Sequence, residues 1–231
     1  MRDLSTFKGC PAPKPVRLEG RFVTVEPFDK AQHLQALWDG LGGMEINPLL
    51  LYFTNYDFSG IADFEKWLDG TQSNWGWVPH VFRDNKTDKI VGMASYMRAD
   101  PANGVVEVGA VAHGSAMSRT PLATEAHYLM ARHVFDDLGY RRYEWKCHND
   151  NAPSKTTAER YGFTFEGVFR QHMLSKGKNR DTAWFSMIDG EWPVIRAAFE
   201  AWLSPENFDA EGRQIRRLED IRAELAKGAA A

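Results

Sequence analysis

Cysteine is scarce in this chain, and long apolar runs are missing from it. Only Cys10 and Cys147 occur among its 231 residues. No secretory leader precedes them, so we expect reduced thiols in the cytoplasm, with a single disulfide as the alternative. The longest apolar run, around Leu49 to Phe53, is far shorter than the ~20 residues that span a bilayer. These absences predict a soluble cytoplasmic protein with no membrane partner.

An excess of either charge is also missing. The 28 basic and 31 acidic residues give a formal net charge of -3 and form no long block of one sign. Without a basic stripe, no nucleic-acid partner is expected. We find no internal repeat, no low-complexity segment and no predicted metal site. A length of 231 residues favours one domain, with or without an appendage.

Three segments are predicted along the chain. Residues 1–18 contain PAPKP and should form an extended arm, because proline removes a backbone donor and blocks a helix. Residues 19–203 form the domain. Residues 204–231 form a charged tail, in which IRRLEDIRAEL predicts a helix with an apolar stripe. The stripe is expected to dock on its own domain or, alternatively, to make a dimer contact, so monomer and homodimer both stay open.

Seven segments within the domain have strand patterns. They read GRFVTVEPF, WVPHVFRD, KIVGMASYM, GVVEVGAVAH, YRRYEWKCH, FTFEGVFRQHML and DTAWFSMI. Five other segments have apolar residues at helical spacing. They are DKAQHLQALWDGL, GIADFEKWLDG, residues 120–138, NAPSKTTAERYG and EWPVIRAAFEAWL. This order of strands and helices predicts an α/β (α+β) fold, a mixed sheet with helices on both faces.

The segment SRTPLATEA, residues 118–126, predicts the start of a helix. Thr120 fits the N-cap and Pro121 the first helical position. The first turn then offers free amides at the positive end of the helix dipole, those of Leu122, Ala123 and Thr124, with Arg119 alongside. An anion can bind there, although any capped helix presents the same groups.

This segment belongs to a longer ordered set: a strand ending in GAVAH, then LATEA, Asn151-x-x-Ser154, and Gly162 followed by Phe163. From about residue 18 to 190 the chain resembles the GNAT superfamily of N-acetyltransferases, and within it the branch of the ribosomal-protein N-terminal acetyltransferases. The resemblance implies the GNAT fold, a mostly antiparallel sheet of six to seven strands splayed at its centre. It also implies transfer of an acetyl group from acetyl-CoA, by direct attack, to a primary amine of a small molecule or of a polypeptide N-terminus.

The resemblance further implies a cofactor site, because in the family the amides before this helix bind the pyrophosphate. The residues predicted to bind acetyl-CoA are Val111, Ala112, His113, Ser118, Arg119, Thr120, Leu122, Ala123, Thr124, Asn151, Ser154 and Lys155. Two positions depart from the family pattern: Ser118 replaces the usual Gln or Arg, and Pro121 replaces the first Gly. Proline has no N–H, so one donor is missing, and Arg119 and Lys155 are candidates to offset it. A non-catalytic CoA-binding sensor or scaffold is therefore the alternative.

Three side chains are predicted to be catalytic. Glu107 matches a family glutamate and is the preferred general base, acting through water, with an ion pair as its alternative role. His113 is the second candidate base, since histidine has an ordinary pKa near ~6.5. Ser154 is expected to stabilise the leaving thiolate while Asn151 orients the cofactor arm, or Asn151 simply caps a helix. The amide at about Val111 would polarise the thioester carbonyl.

The acceptor cleft is expected to have aromatic walls, which suit an apolar or cationic group. Its predicted residues are Tyr52, Tyr56, Trp75, Trp77 and His172. Tyr161, Trp145 and Trp184 are assigned to packing. A lysine-like amine, with a pKa near ~10.4, needs a strong base at pH 7, whereas an α-amine near ~7.8 hardly does. The sequence does not select among these acceptors.

Overall fold

The computed structural model describes residues 4–54 and 57–229. In chain order the strands are β1 (Leu18–Glu19), β2 (Val23–Pro27), β3 (Val78–Asp84), β4 (Ile90–Asp100), β5 (Val105–His113), β6 (Arg142–His148), β7 (Thr164–Ser175) and β8 (Lys178–Ile188). The helices are α1 (Lys30–Gly40), α2 (Ile46–Leu49), α3 (Ile61–Ser73), α4 (Pro121–Arg132), α5 (Ala152–Tyr161), α6 (Trp192–Leu203) and α7 (Leu218–Ala229). In these ranges no helix is long and apolar enough to cross a membrane.

All eight strands form one open sheet in the order β1-β2-β3-β4-β5-β6-β8-β7. Every neighbouring pair is antiparallel except β5 and β6. The mostly antiparallel sheet is as predicted, but it has eight strands instead of the predicted six to seven. The additional strand is β1, whose two residues, Leu18 and Glu19, are too few for an alternating pattern. They pair with β2, so the end of the predicted arm joins the sheet.

Helices cover both faces of the sheet. On one face, Leu37 of α1 and Phe64 of α3 are fully buried in a cluster that includes Met93 of β4. On the other face, α4, α6 and α7 pack over the central strands in a second cluster. Leu218 and Ile221 of α7 are buried in it, because the apolar stripe of the tail meets α6.

The centre of the sheet is split. β5 pairs with β6 only from Val105 to Val108, although β6 stays paired with β8 as far as His148. On the other side of β5, Met93 is opposite Ala112 and Ser95 is opposite Gly109. Two steps on β4 therefore face three on β5, which is a β-bulge at Ala110, where φ is +49°. The bulge bends β5 away from β6, and a cleft opens between their C-terminal ends.

Candidate active site

Two cavities open at this cleft. The first, the α4 groove, is lined by residues 111–113 and 118–121, by Thr124 and Arg160, and by Trp202, Phe208 and Arg213. The second, the aromatic pocket, is lined among others by Tyr52, Trp67, Trp75, Trp77, Arg98, Glu107, Lys146 and Arg180. Both cavities include Val111, Trp145, Asn151 and Ser154. A molecule in one cavity can therefore meet a molecule in the other at these four residues.

The first turn of α4 lies at the α4 groove without a side-chain cap. Thr120 holds the N-cap position with extended backbone, but its hydroxyl donates to the carbonyl of Met117 at 2.6 Å. The expectation that Thr120 caps the amides was therefore wrong, because its side chain turns back to the preceding loop. Pro121 takes the first helical position, as predicted. The uncapped amides that follow it keep their capacity to bind an anion.

Ten of the residues predicted to bind the cofactor line the α4 groove, and Leu122 and Lys155 do not. Leu122 packs partly buried against the core, and the Nζ of Lys155 lies 3.5 Å from the Oδ1 of Asn149. Sequence reasoning missed Arg160 on α5 and the tail residues Phe208 and Arg213. No local pattern marks them, since they reach the groove only through tertiary packing.

Arg160 is fixed beside the first turn of α4. Its Nη1 donates to the Oγ1 of Thr124 at 2.9 Å, and its guanidinium lies 5.0 Å from the ring centroid of Trp202. Arg119 borders the same groove and is exposed. Arg213, from the tail, lies on the far wall. Arg213 forms ion pairs with Asp209 and Glu211, so the guanidinium groups of Arg119 and Arg160, together with a helix N-terminus, make the α4 groove favourable for a polyanion.

Ser154 is held at the junction of the two cavities. The Oδ1 of Asn151 accepts a hydrogen bond from the Ser154 amide at 3.2 Å, so Asn151 does cap α5. The indole Nε1 of Trp145 donates to the Ser154 Oγ at 3.0 Å. Because Oγ accepts this bond, the hydroxyl hydrogen of Ser154 can point toward the cleft. Trp145 was assigned to packing alone, yet it positions a predicted catalytic residue.

Glu107 lies in the aromatic pocket as the centre of an ion-pair network. Arg98 Nη1 lies 2.8 and 2.9 Å from its two carboxylate oxygens, and Lys146 Nζ lies 2.9 Å from Oε2. Lys146 also contacts Glu144 at 2.8 Å. Glu107 is only 3% exposed. The ion-pair alternative is present in the structure, and both carboxylate oxygens of Glu107 are engaged in it.

His113 is enclosed rather than free. Its Nε2 lies 3.0 Å from the Nε2 of His127 on α4, and burial lowers the pKa of His113 to about 4. Burial also lowers the pKa of His127 well below its ordinary value. The ordinary pKa assumed for His113 was therefore wrong, and it is a weak base at neutral pH. Its position in the α4 groove also separates it from the aromatic pocket.

Tyr52, Trp75 and Trp77 line the aromatic pocket. The ring centroids of Trp75 and Trp77 lie 5.0 Å apart. His172 was also predicted there, but it is exposed and is not part of the lining. Its Nδ1 contacts the Oγ1 of Thr182 at 3.0 Å, which holds the ring against the sheet. Tyr56, the remaining predicted residue, lies outside the described residues.

Sequence reasoning missed the cations of this pocket and its thiol. Arg180 of β8 donates from Nη1 to the carbonyl of Tyr52 at 3.3 Å and from Nε to the Oγ1 of Thr182 at 3.4 Å. Cys147 of β6 is buried and free, and burial raises its pKa. Cys10 is free as well, so the structure contains no disulfide between the two cysteines, and their reduced state stays a prediction.

The sequence and the fold match known acetyltransferases. A family model, the acetyltransferase (GNAT) domain, matches residues 52–164. The crystal structure of a GCN5-related N-acetyltransferase from Brucella melitensis is 44% identical, with a TM-score of 0.90 over 95% of this chain and 100% of that one. A probable acetyltransferase (GNAT family) from Chromobacterium violaceum is 34% identical, with a TM-score of 0.77 over 84% of this chain and 96% of that one.

Curated relatives match over a shorter stretch. The ribosomal-protein-serine acetyltransferase of Escherichia coli (strain K12) is 30% identical over 91 residues, which is 39% of this chain and 50% of that protein. The chain spans 60% and 50% of the lengths of the two curated relatives that it matches. Because the Brucella protein is matched over its whole length at 44% identity, the chain belongs to the GCN5-related N-acetyltransferase (GNAT) family.

Proposed function

We propose that this protein is an acetyl-CoA-dependent N-acetyltransferase that acts by direct attack of a primary amine on the thioester. The observation that carries the proposal is the meeting of the α4 groove and the aromatic pocket at Val111, Trp145, Asn151 and Ser154. Direct transfer needs two substrates in one open volume with their reacting atoms adjacent. Two cavities that share a wall at the split of the sheet provide such a volume.

The α4 groove suits the coenzyme. Its pyrophosphate would bind the uncapped first turn of α4, with Arg119 and Arg160 as counter-charges, and these arginines replace the donor that Pro121 lacks. The pantetheine arm carries two amides. On the side of β5 that faces β6, Ala110 and Val111 have no strand partner, because the pairing with β6 ends at Val108. An extended arm can pair there as an added strand.

The shared residues suit the chemistry. The amide at about Val111 would donate to the carbonyl oxygen of the thioester as negative charge develops on it. Ser154 would donate its hydroxyl hydrogen to the leaving thiolate, because Trp145 fixes its oxygen as an acceptor. Glu107 remains the proposed base through water, at the expense of its ion pairs, and an acceptor of low pKa removes most of the need for it.

The proposed acceptor is a primary amine of a small molecule or of a polypeptide N-terminus. A relative that acts on a ribosomal-protein serine supports a polypeptide. The free state of Cys10 and Cys147 supports the expected cytoplasmic location. We also propose that residues 19–203 with the docked tail act as one unit.

Isothermal titration with acetyl-CoA and thiol release with a panel of amines test this function. We expect binding at sub-millimolar concentration and release of CoA only when an acceptor is present. Binding without release for every amine would instead support the CoA sensor, to which the departures at Ser118 and Pro121 point. No binding would remove the cofactor from the proposal altogether.

A further inference from the structure

The charges of the aromatic pocket indicate the kind of acceptor, an inference that rests on the proposed function. We propose that the acceptor carries a carboxylate close to its α-amine, and that Arg180 binds this carboxylate. Among the described residues that line the pocket, the cations are Arg98, Lys146 and Arg180, and the only carboxylate is that of Glu107. Arg98 and Lys146 both contact Glu107, and Lys146 also contacts Glu144, so two cations face two carboxylates. Their charges are therefore balanced within the protein.

Arg180 is different, because it forms no ion pair with a described residue. Its contacts are two neutral oxygens, the Tyr52 carbonyl at 3.3 Å and the Thr182 hydroxyl at 3.4 Å. The side chain is partly buried, and this burial lowers its pKa. Glu107 attracts Arg180 through space but forms no ion pair with it, and a partly desolvated charge without a direct partner is unfavourable. A carboxylate from a bound molecule would supply that counter-ion.

The guanidinium has the capacity for this ligand. It offers five N–H donors, and its planar edge binds a carboxylate through two parallel hydrogen bonds. Its Nη2 makes no hydrogen bond to a described residue. Arg180 lines the same pocket as Cys147 and Ser154, and Ser154 belongs to the junction of the two cavities. A carboxylate bound at Arg180 would therefore place the rest of a small acceptor toward the split.

The same pocket disfavours polycationic acceptors. Tryptophan faces attract ammonium groups, but Arg98, Lys146 and Arg180 repel them, and Glu107 is already occupied by two of these cations. At pH 7 a lysine-like amine must lose its proton about 3 pH units below its pKa. For the α-amine of a peptide N-terminus, the pKa is less than about one unit above pH 7. A peptide with an acidic first residue meets both conditions, whereas a free amino acid meets the charge condition only, because its adjacent carboxylate raises the pKa of its α-amine above that of a peptide N-terminus. The carboxylate of the acceptor comes either from the backbone of a free amino acid or from an acidic first side chain of a peptide.

The test compares matched acid and amide acceptors in the thiol-release assay. One arm uses serine against serinamide, with kcat/KM expressed per unprotonated amine because the amide has the lower amine pKa, and the other uses peptides that begin with Asp or Glu against the same peptides with Asn or Gln. We expect the wild type to favour the acid at least about 10-fold in kcat/KM in one arm, and that arm identifies the source of the carboxylate. Arg180→Gln should lower kcat/KM for the acid about 10- to 100-fold, mainly through KM, and leave the amide nearly unchanged. Arg180→Lys should restore part of the preference.

The acid-to-amide ratio within one preparation does not depend on the fraction of folded protein, so a destabilised variant still gives an answer. Arg170→Gln, which changes an exposed residue of β7 outside both cavities, is the matched control and should keep the wild-type ratio. Equal rates for acid and amide in both arms, a preference for lysinamide or spermidine, or a ratio that Arg180→Gln leaves intact would overturn the inference while the acetyltransferase activity stands. Absence of thiol release with every acceptor would overturn the activity itself.

Discussion

The substitution Glu107→Gln separates an ion-pair centre from a general base. In the structure this carboxylate is 3% exposed and contacts Arg98 and Lys146. Removing one partner of a buried ion pair costs about 3–5 kcal/mol, because the other charge stays buried without compensation. Two features reduce this figure here: the Arg98 side chain is 50% exposed, so solvent screens it, and Lys146 keeps Glu144 at 2.8 Å.

We therefore expect Glu107→Gln to lower the free energy of unfolding by about 2 kcal/mol, which corresponds to a fall in Tm of roughly 4–8 °C for a chain of this size. Turnover of an α-amine acceptor should fall only a fewfold, since little proton abstraction is needed. Urea titration and thiol release on the same preparation measure both quantities. Arg142→Gln, which breaks ion pairs of the adjoining Glu144 and Glu166, gives a control for stability alone.

The opposite pattern would refute this reasoning. If Glu107→Gln leaves the urea midpoint unchanged and lowers kcat by about 100-fold or more, the size typical of a lost general base, the carboxylate takes the proton. A loss that grows as the pKa of the amine rises would support the same reading. In that case proton transfer, and not the ion-pair network, would be the main role of Glu107.

Further predictions concern the groove and the junction. Ser154→Ala should lower kcat about 10-fold or more and leave the affinity for acetyl-CoA within about 2-fold. Steady-state kinetics and calorimetric titration measure the two quantities, and equal losses in both would show that Ser154 has only a structural role in α5. Arg160→Gln should weaken acetyl-CoA binding about 10-fold with kcat preserved, because a charge-assisted phosphate contact is lost; unchanged affinity in calorimetry would exclude it from the phosphate site. The buried pair of His113 and His127 should make folding sensitive to acid. The pKa values of the pair are depressed in the folded state. Its contribution to the free energy of unfolding is therefore complete above the unfolded pKa of ~6.5 and is lost as the pH falls toward about 4. For His113 alone this loss is on the order of 3 kcal/mol. Urea midpoints at pH 7 and pH 5 measure this loss, and His127→Phe should reduce it while the contribution of His113 remains; a midpoint that does not move with pH would contradict the depressed pKa values.

Local patterns were enough to locate the elements around the site. Alternation identified seven strands, and only β1 escaped, since two residues cannot alternate. The Thr-Pro pair located the start of α4, and Asn151 located the start of α5. The side chain of Thr120 was misjudged, because a rotamer that turns back to Met117 leaves no trace in the sequence pattern.

Contacts between distant segments could not be predicted in the same way. His113 and His127 face each other only because α4 packs across β5. Arg180 reaches the aromatic pocket from β8, and Arg160 reaches the α4 groove from α5. Each of these side chains looks like an ordinary surface residue in its own segment. Their significance comes from the charges and rings that the fold brings beside them.

The tail has a consequence for the independence of the domain. Phe208 and Arg213 form part of the α4 groove, and a little further along the chain Leu218 and Ile221 enter the core. A chain shortened after Leu203 would lose the far wall of the groove and part of its hydrophobic interior in a single cut. Loss of this segment would therefore weaken coenzyme binding in the proposed groove and lower thermal stability at the same time.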